Sequence, residues 1–159
     1  MYKRDLHQII VDQCFQGKAI ILLGARQVGK TTLLKQIIQE QRTEVQYLNC
    51  DEPQVVEALT NRNLRELQLL VGSAKFIVID EAQKVNNIGL TLKLIVDNIP
   101  DVQIIATGSS AFELRNRLNE PFTGRKFEYH LFPISTNEIY KSTGYLDVKR
   151  LLETRLIYG

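Results

Sequence analysis

Lys30 and Thr31 close an eight-residue stretch, Gly24 to Thr31, that reads GARQVGKT and satisfies the pattern G-x-x-x-x-G-K-[ST]. Each position in that pattern has a chemical task. Backbone N–H groups of the loop and of the first turn of the following helix would converge on a phosphate, aided by the helix dipole. Gly24 and Gly29 allow the dihedral angles and the close approach that such a loop needs. Between them Ala25, Arg26, Gln27 and Val28 supply loop backbone, with Arg26 facing solvent. Lys30 would reach the β- and γ-phosphates, the Thr31 hydroxyl would ligate a magnesium ion, and Thr32 continues the helical turn.

A second pair lies downstream. Lys75 to Glu81 reads KFIVIDE, an apolar run ending in two carboxylates. Asp80 would hold the magnesium ion opposite Thr31, directly or through water. Glu81 would face the γ-phosphate and orient or deprotonate an attacking water. Alone, such a run is an ordinary strand entering a solvated turn; after a phosphate loop it points to nucleotide hydrolysis, with ATP or ADP and Mg2+ as cofactors.

These residues need elements to carry them. Residues 19–23 are continuously apolar and predict a buried strand before the loop. Leu33, Leu34, Ile37 and Ile38 form one face of a helix over 30–41. Residues 76–80 predict a central parallel strand, apolar on both faces, whose C-terminal end is where ligands bind in open α/β sheets. Further strands are predicted at 45–49, about 102–106 and 127–131. A leading helix over 2–16 is stopped by Gly17. Two short helices are broken at 61–63, the first opened by Pro53. Another helix ends at Pro100. Ser110 with Glu113 and Ser135 with Glu138 look like capping boxes, the first for a helix at about 110–118. A last helix begins at Asp147. The alternation predicts an α/β fold with a mostly parallel five-stranded sheet between helical layers.

Composition narrows the classes. The 159 residues fit one domain. A net charge of +2 gives no global drive toward nucleic acid or membrane. No apolar run approaches a membrane span, and the polar N-terminus has no signal-peptide core. Cys14 and Cys50 have no metal-ligand spacing and read as free thiols of a cytoplasmic protein.

The segments GARQVGKTTLLKQ, YLNCDEP, VIDEAQKV, IIATGSSAFEL, the pair Gly124–Arg125 and HLFPISTNEI occur in this order. Together they resemble predicted AAA+-superfamily P-loop ATPases of bacteria and archaea, near the archaeal-type and STAND-like branch, over about 18–140. The resemblance implies a three-layer sandwich with sheet order 5-1-4-3-2. It also implies a single ATP-binding core over 1–159: a leading helix to 17, sheet and helices over 18–131, and from 132 the start of a C-terminal helical region. Family members continue into a further C-terminal domain, so the chain is expected to be an N-terminal part. Thr107 and Ser109 fall where a polar side chain senses the γ-phosphate; Ser109 or Ser110 would equally cap the next helix. Arg125 is a candidate phosphate-sensing or trans-acting arginine, or a solvated member of a basic stretch with Arg115, Arg117 and Lys126. Asp51 would support the metal through water or cap the helix that follows it. DNA, and other copies of a full-length chain, are partners by family analogy alone. Alternatives stay open: a helicase-type motor, because DEAQ at Asp80–Gln83 resembles an acidic box; a small-molecule kinase, although no acceptor pocket is found; and a nucleotide-dependent binding switch with negligible hydrolysis. A GTPase is disfavoured by the lack of Asn-Lys-x-Asp.

Overall fold

The computed structural model describes residues 2–41, 43–109 and 122–158. In chain order it contains α1 (Asp5–Gln13), β1 (Ala19–Leu23), α2 (Lys30–Glu40), β2 (Val45–Asn49), α3 (Pro53–Leu59) and α4 (Leu64–Val71). There follow β3 (Phe76–Asp80), a 3-10 turn (Ala82–Lys84), α5 (Ile88–Asn98), β4 (Gln103–Gly108), β5 (Lys126–His130), α6 (Thr136–Thr143) and α7 (Tyr145–Tyr158). The strands form one sheet in the order β2-β3-β4-β1-β5, every neighbouring pair parallel.

Burial explains which strands are apolar throughout. β1, β3 and β4 are interior and every residue in them is buried; β2 and β5 are edges and stay partly exposed. Side chains alternate between the two faces. Ile21, Leu23, Ile77, Ile79, Ile104 and Ala106 pack with Leu59, Leu67 and Val71 of α3–α4 and with Leu92 and Ile95 of α5. Ile20, Leu22, Val78 and Ile105 pack on the other face with Ile10 of α1 and Leu33, Leu34 and Ile37 of α2. Two cores of this kind require the three-layer arrangement. Register then sets the strand ends level: Leu23 lies beside Gly108 and His130, and Asn49 beside Asp80.

Several boundaries shift from the sequence reading. α1 ends at Gln13, well before Gly17. The chain turns inward at Phe15, whose N–H donates to Gln103 Oε1 and whose ring meets Phe76 edge-on at 6.1 Å. β4 runs to Gly108, because pairing with β1 continues past the apolar residues. α7 starts at Tyr145, directly after Gly144, whose φ of +86° ends α6. The Ser135–Glu138 capping box is present, and Asn63 with Glu66 forms a second one at α4. Asp51 does not cap α3: its carboxylate is bonded by Lys84 Nζ, and Glu52 is the N-cap residue without a side-chain bond. The expected helix at 110–118, with Ser110, Glu113, Arg115 and Arg117, lies outside the described residues.

Candidate phosphate-binding site

The loop leaves β1 at its C-terminal end and enters α2 at Lys30. Gly24 is pressed against the end of β5: a Cβ there would stand 2.4 Å from the Leu131 carbonyl oxygen. Leu131 is itself held by its N–H to Leu23 O at 2.7 Å. Gln27 and Gly29 take positive φ values of 64° and 98°, and Gly29 is the N-cap residue of α2. A hollow of about 420 Å³ opens above this turn. On the loop side it is walled by Arg26, Gln27, Gly29, Lys30, Thr31 and Thr32, and on the facing side by Asp51, Glu81 and Lys84. Gly24, Ala25 and Val28 belong to the same loop but do not line the hollow.

The Lys30 ammonium is held by the carbonyl oxygens of Gly24 and Ala25, at 2.7 and 2.9 Å. Burial lowers its pKa, against the opposing pull of Glu81 and Asp80 and with a further downward push from Arg26. Thr31 Oγ1 donates to Asp80 Oδ2 at 3.3 Å, and the Tyr47 hydroxyl donates to the same oxygen. Burial and that carboxylate raise the Tyr47 phenol well above its ordinary range. A threonine hydroxyl and a carboxylate side by side are hard oxygen donors suited to Mg2+, which characteristically takes one or two protein ligands and fills its sphere with water and phosphate. No cluster of three or more His, Cys, Asp or Glu side chains able to hold a metal occurs among the described residues.

Glu81 follows β3 with φ 54° and ψ 42°, which turns its side chain away from the strand direction. Its Oε2 accepts from Gln83 Nε2 at 2.5 Å and from Ser109 Oγ at 2.7 Å. Thr107 is fully buried on β4, beside Asp80 and the Glu81 backbone. Its hydroxyl donates to Asp80 Oδ1 and accepts the Glu81 N–H at 3.1 Å. Thr107, a candidate phosphate sensor by resemblance, has its hydroxyl bonded to the Asp80 carboxylate and the Glu81 N–H, and Ser109 donates to the Glu81 carboxylate.

Arg125 is not brought to the site. It precedes β5, so it lies at the N-terminal edge of a parallel sheet whose loop is at the other edge, about 16 Å away for a five-residue strand. There its Nε donates to Asp97 Oδ1 at 2.6 Å, and Lys126 beside it pairs with Glu128 at 2.9 Å. The strand it precedes thus separates Arg125 from the loop of its own chain. The described part of the basic stretch is neutralised by acids of the same chain.

Two site features escaped sequence reasoning. Tyr47 reaches Asp80 only because β2 pairs in register with β3. Arg4 lies beneath the loop, its Nη1 donating to Val28 O at 2.8 Å. No motif marks either; a register argument would have found the first, and nothing local signals the second. The thiols add no nucleophile: burial pushes Cys14 up to about 11 and Cys50 to about 12, far from thiolate at neutral pH.

With this geometry in view, likeness to known proteins is informative. Residues 16–140 match the sequence model of a family described as an AAA domain. An uncharacterized protein of Methanocaldococcus jannaschii, MJ1637, is 28% identical over 144 residues, 84% of this chain but 30% of that protein. Among solved structures, the Walker-type ATPase PABY2304 of Pyrococcus abyssi superposes with a TM-score of 0.63 at 18% identity, over 94% of this chain and 59% of that one. A chain of Drosophila ORC bound to DNA gives 0.59 at 14%, over 85% and 93%. The Pif1 helicase of Candida albicans gives 0.54 at 14%, over 87% and 41%. At such identities the structural likeness is one of fold, the P-loop α/β sandwich. The chain spans about a third of its curated relative's length and about 60% of the Pyrococcus chain. The loop, the paired carboxylates, the sheet order and the match over 16–140 agree: the chain belongs to the AAA domain family, and it is a P-loop, AAA+-like ATPase core built to bind nucleotide.

Proposed function

We propose that this core binds ATP with Mg2+ and hydrolyses it, and that the cycle drives or switches a domain attached on its C-terminal side. The observation that carries the reading is that Lys30 and Thr31, at the start of α2, share one hollow with Glu81, while Thr31 is hydrogen-bonded to Asp80 at its side. Lys30 would exchange the Gly24 and Ala25 carbonyls for phosphate oxygens. Thr31 and Asp80 would hold the metal. Glu81, steadied by Gln83 and Ser109, would orient the attacking water. A second hollow of about 420 Å³ adjoins the first across Arg26, Gln27 and Gly29; its outer wall of Tyr2, Pro133 and Ile134 would give the base an apolar seat. Phosphoryl transfer gains about 10³–10⁵-fold from an arginine at the transition state. Arg125 would have to serve a neighbouring copy's site, so the 159-residue chain alone is expected to turn over slowly.

Calorimetric titration of ATP and ADP, with and without Mg2+, tests the binding step. The wild type should bind, and Lys30→Ala should bind more weakly. Equal affinity of the two would overturn the assignment. Turnover measured with and without added DNA separates this module from a nucleic-acid motor, whose hydrolysis DNA would stimulate. Binding without turnover, in a chain carrying its C-terminal domain, would instead identify a switch.

A further inference from the structure

Arg4 is isolated in sequence from every site residue, yet its guanidinium is almost fully buried against the underside of the loop. Nε donates to Glu138 Oε1 at 3.0 Å, Nη1 to Val28 O at 2.8 Å and Nη2 to Phe132 O at 2.6 Å. The head group therefore joins three parts of the chain: α6, the loop, and the segment after β5. Glu138 is equally committed. It also accepts the N–H groups of Asp5 and Ser135, at 3.0 and 2.8 Å. Burial alone would raise its carboxyl; the N–H groups of Ser135 and Asp5 and the guanidinium overcome this and hold it down at about 2. Around this pair, Lys141 Nζ meets Asp5 Oδ1 at 2.8 Å and the Lys3 N–H meets Ser142 Oγ at 3.1 Å.

The bond to Val28 O has a directional consequence. Val28 C=O and Gly29 N–H belong to one planar trans peptide, in which the two groups point to opposite sides. With the carbonyl drawn toward Arg4, the N–H is turned away from it. Arg4 and Val28 flank the outer hollow, while Gly29 also borders the phosphate hollow on the other side of the turn. The Gly29 N–H donates to no backbone or side-chain acceptor among the described residues. We infer that Arg4 is a positioning residue of the phosphate loop: anchored by Glu138, it fixes the Val28–Gly29 peptide so that the Gly29 N–H is presented to a bound phosphate. The inference rests on the reading of the loop as a nucleotide phosphate site. It makes Arg4 and α6 part of the binding machinery, although neither touches the phosphate. A lysine at position 4 would keep the positive charge, but its three donors share one atom and cannot match acceptors spaced to the guanidinium's three separate nitrogens.

The test titrates ADP into the full chain as wild type, Arg4→Ala and Arg4→Lys, with thermal melts to verify cooperative folding. In parallel, the Gly29 amide cross-peak is followed by NMR. Wild type should bind and shift the Gly29 amide strongly. Both variants should bind about 10–100-fold more weakly, the scale of one hydrogen bond to a charged group, with a diminished Gly29 shift. Guanidinium ion at sub-denaturing concentration should restore part of the affinity to Arg4→Ala and none to wild type. Wild-type affinity in Arg4→Lys would overturn the inference by showing that charge alone suffices. So would an undiminished Gly29 shift in either folded variant. If Arg4→Ala does not fold, Arg4→Lys decides the matter alone. Failure of the wild type to bind ADP would instead bring down the phosphate-loop reading, and would do so before any variant is measured.

Discussion

Thr107→Val removes one hydroxyl from the most enclosed part of the site and changes little else in shape. That hydroxyl donates to Asp80 Oδ1 and accepts the Glu81 N–H, and the residue has no exposed surface. Valine leaves the Glu81 N–H without its partner, at about 1–3 kcal/mol, and strips a charge-assisted bond from Asp80, at about 1.5–3 kcal/mol. Both losses belong to one group and do not add in full, so a net cost of about 2–4 kcal/mol is expected. For a domain of this size each kcal/mol moves the melting temperature by about 2–4 °C, giving a drop of about 4–16 °C. The Asp80 carboxylate and the Glu81 backbone lose their common tether as well, so turnover should fall more than nucleotide affinity. Thr107→Ser keeps the hydroxyl and should recover most of both. Thermal melts by circular dichroism, with phosphate release per site, provide the readout. A Thr107→Val protein melting within about 1 °C of wild type would refute the reasoning, because an orphaned buried donor cannot be that cheap.

Other outcomes follow from neighbouring geometry. Glu81→Gln should retain ATP affinity and lose about 10²–10⁴-fold in single-turnover hydrolysis; an unchanged rate would remove Glu81 from the chemistry. Gly24→Ala places a Cβ 2.4 Å from a pinned backbone carbonyl, a clash no rotamer relieves, and should cost about 1–3 kcal/mol in urea unfolding; full stability would mean that the end of β5 yields freely. Glu138 titrates at about 2 in the folded chain against an ordinary 4.5. A depressed carboxyl stabilises fully above the unfolded value and ceases to do so as pH falls through the folded one. The melting-temperature advantage of wild type over Glu138→Gln should therefore shrink between about pH 4.5 and 2, and a gap constant across that range would contradict the assignment.

What could be read from the residues, and what could not, divides along physical lines. The interior strands are legible because both faces are buried: β1 and β3 occupy the predicted residues, and β4 starts one residue later and runs two residues further at its polar end. The loop is legible because its chemistry is contiguous. Strand order came from family resemblance, since periodicity says nothing about which strand lies beside which. Contacts formed across the fold were invisible: Tyr47 to Asp80 spans 33 positions, Thr107 to Asp80 spans 27, and Arg4 to Glu138 spans 134. Arg125 is readable two ways, as a phosphate-sensing or a solvated arginine; its position follows from parallel strand direction, which sets it at the far edge of the sheet, beside Asp97.

The chain has six tyrosines and no tryptophan, which gives the Tyr47 contact an unplanned use. Its phenol donates to the same Asp80 oxygen that faces Thr31. A metal ion drawn to that oxygen would compete with Tyr47 for its lone pairs, and where it wins the phenol returns to water. A phenol released from a carboxylate acceptor changes its near-ultraviolet absorption and its emission, and here no indole background masks the signal. The Tyr47 phenol would then serve as an optical gauge at the site, read as a difference against the other five tyrosines and without a dye, a label or a coupled enzyme.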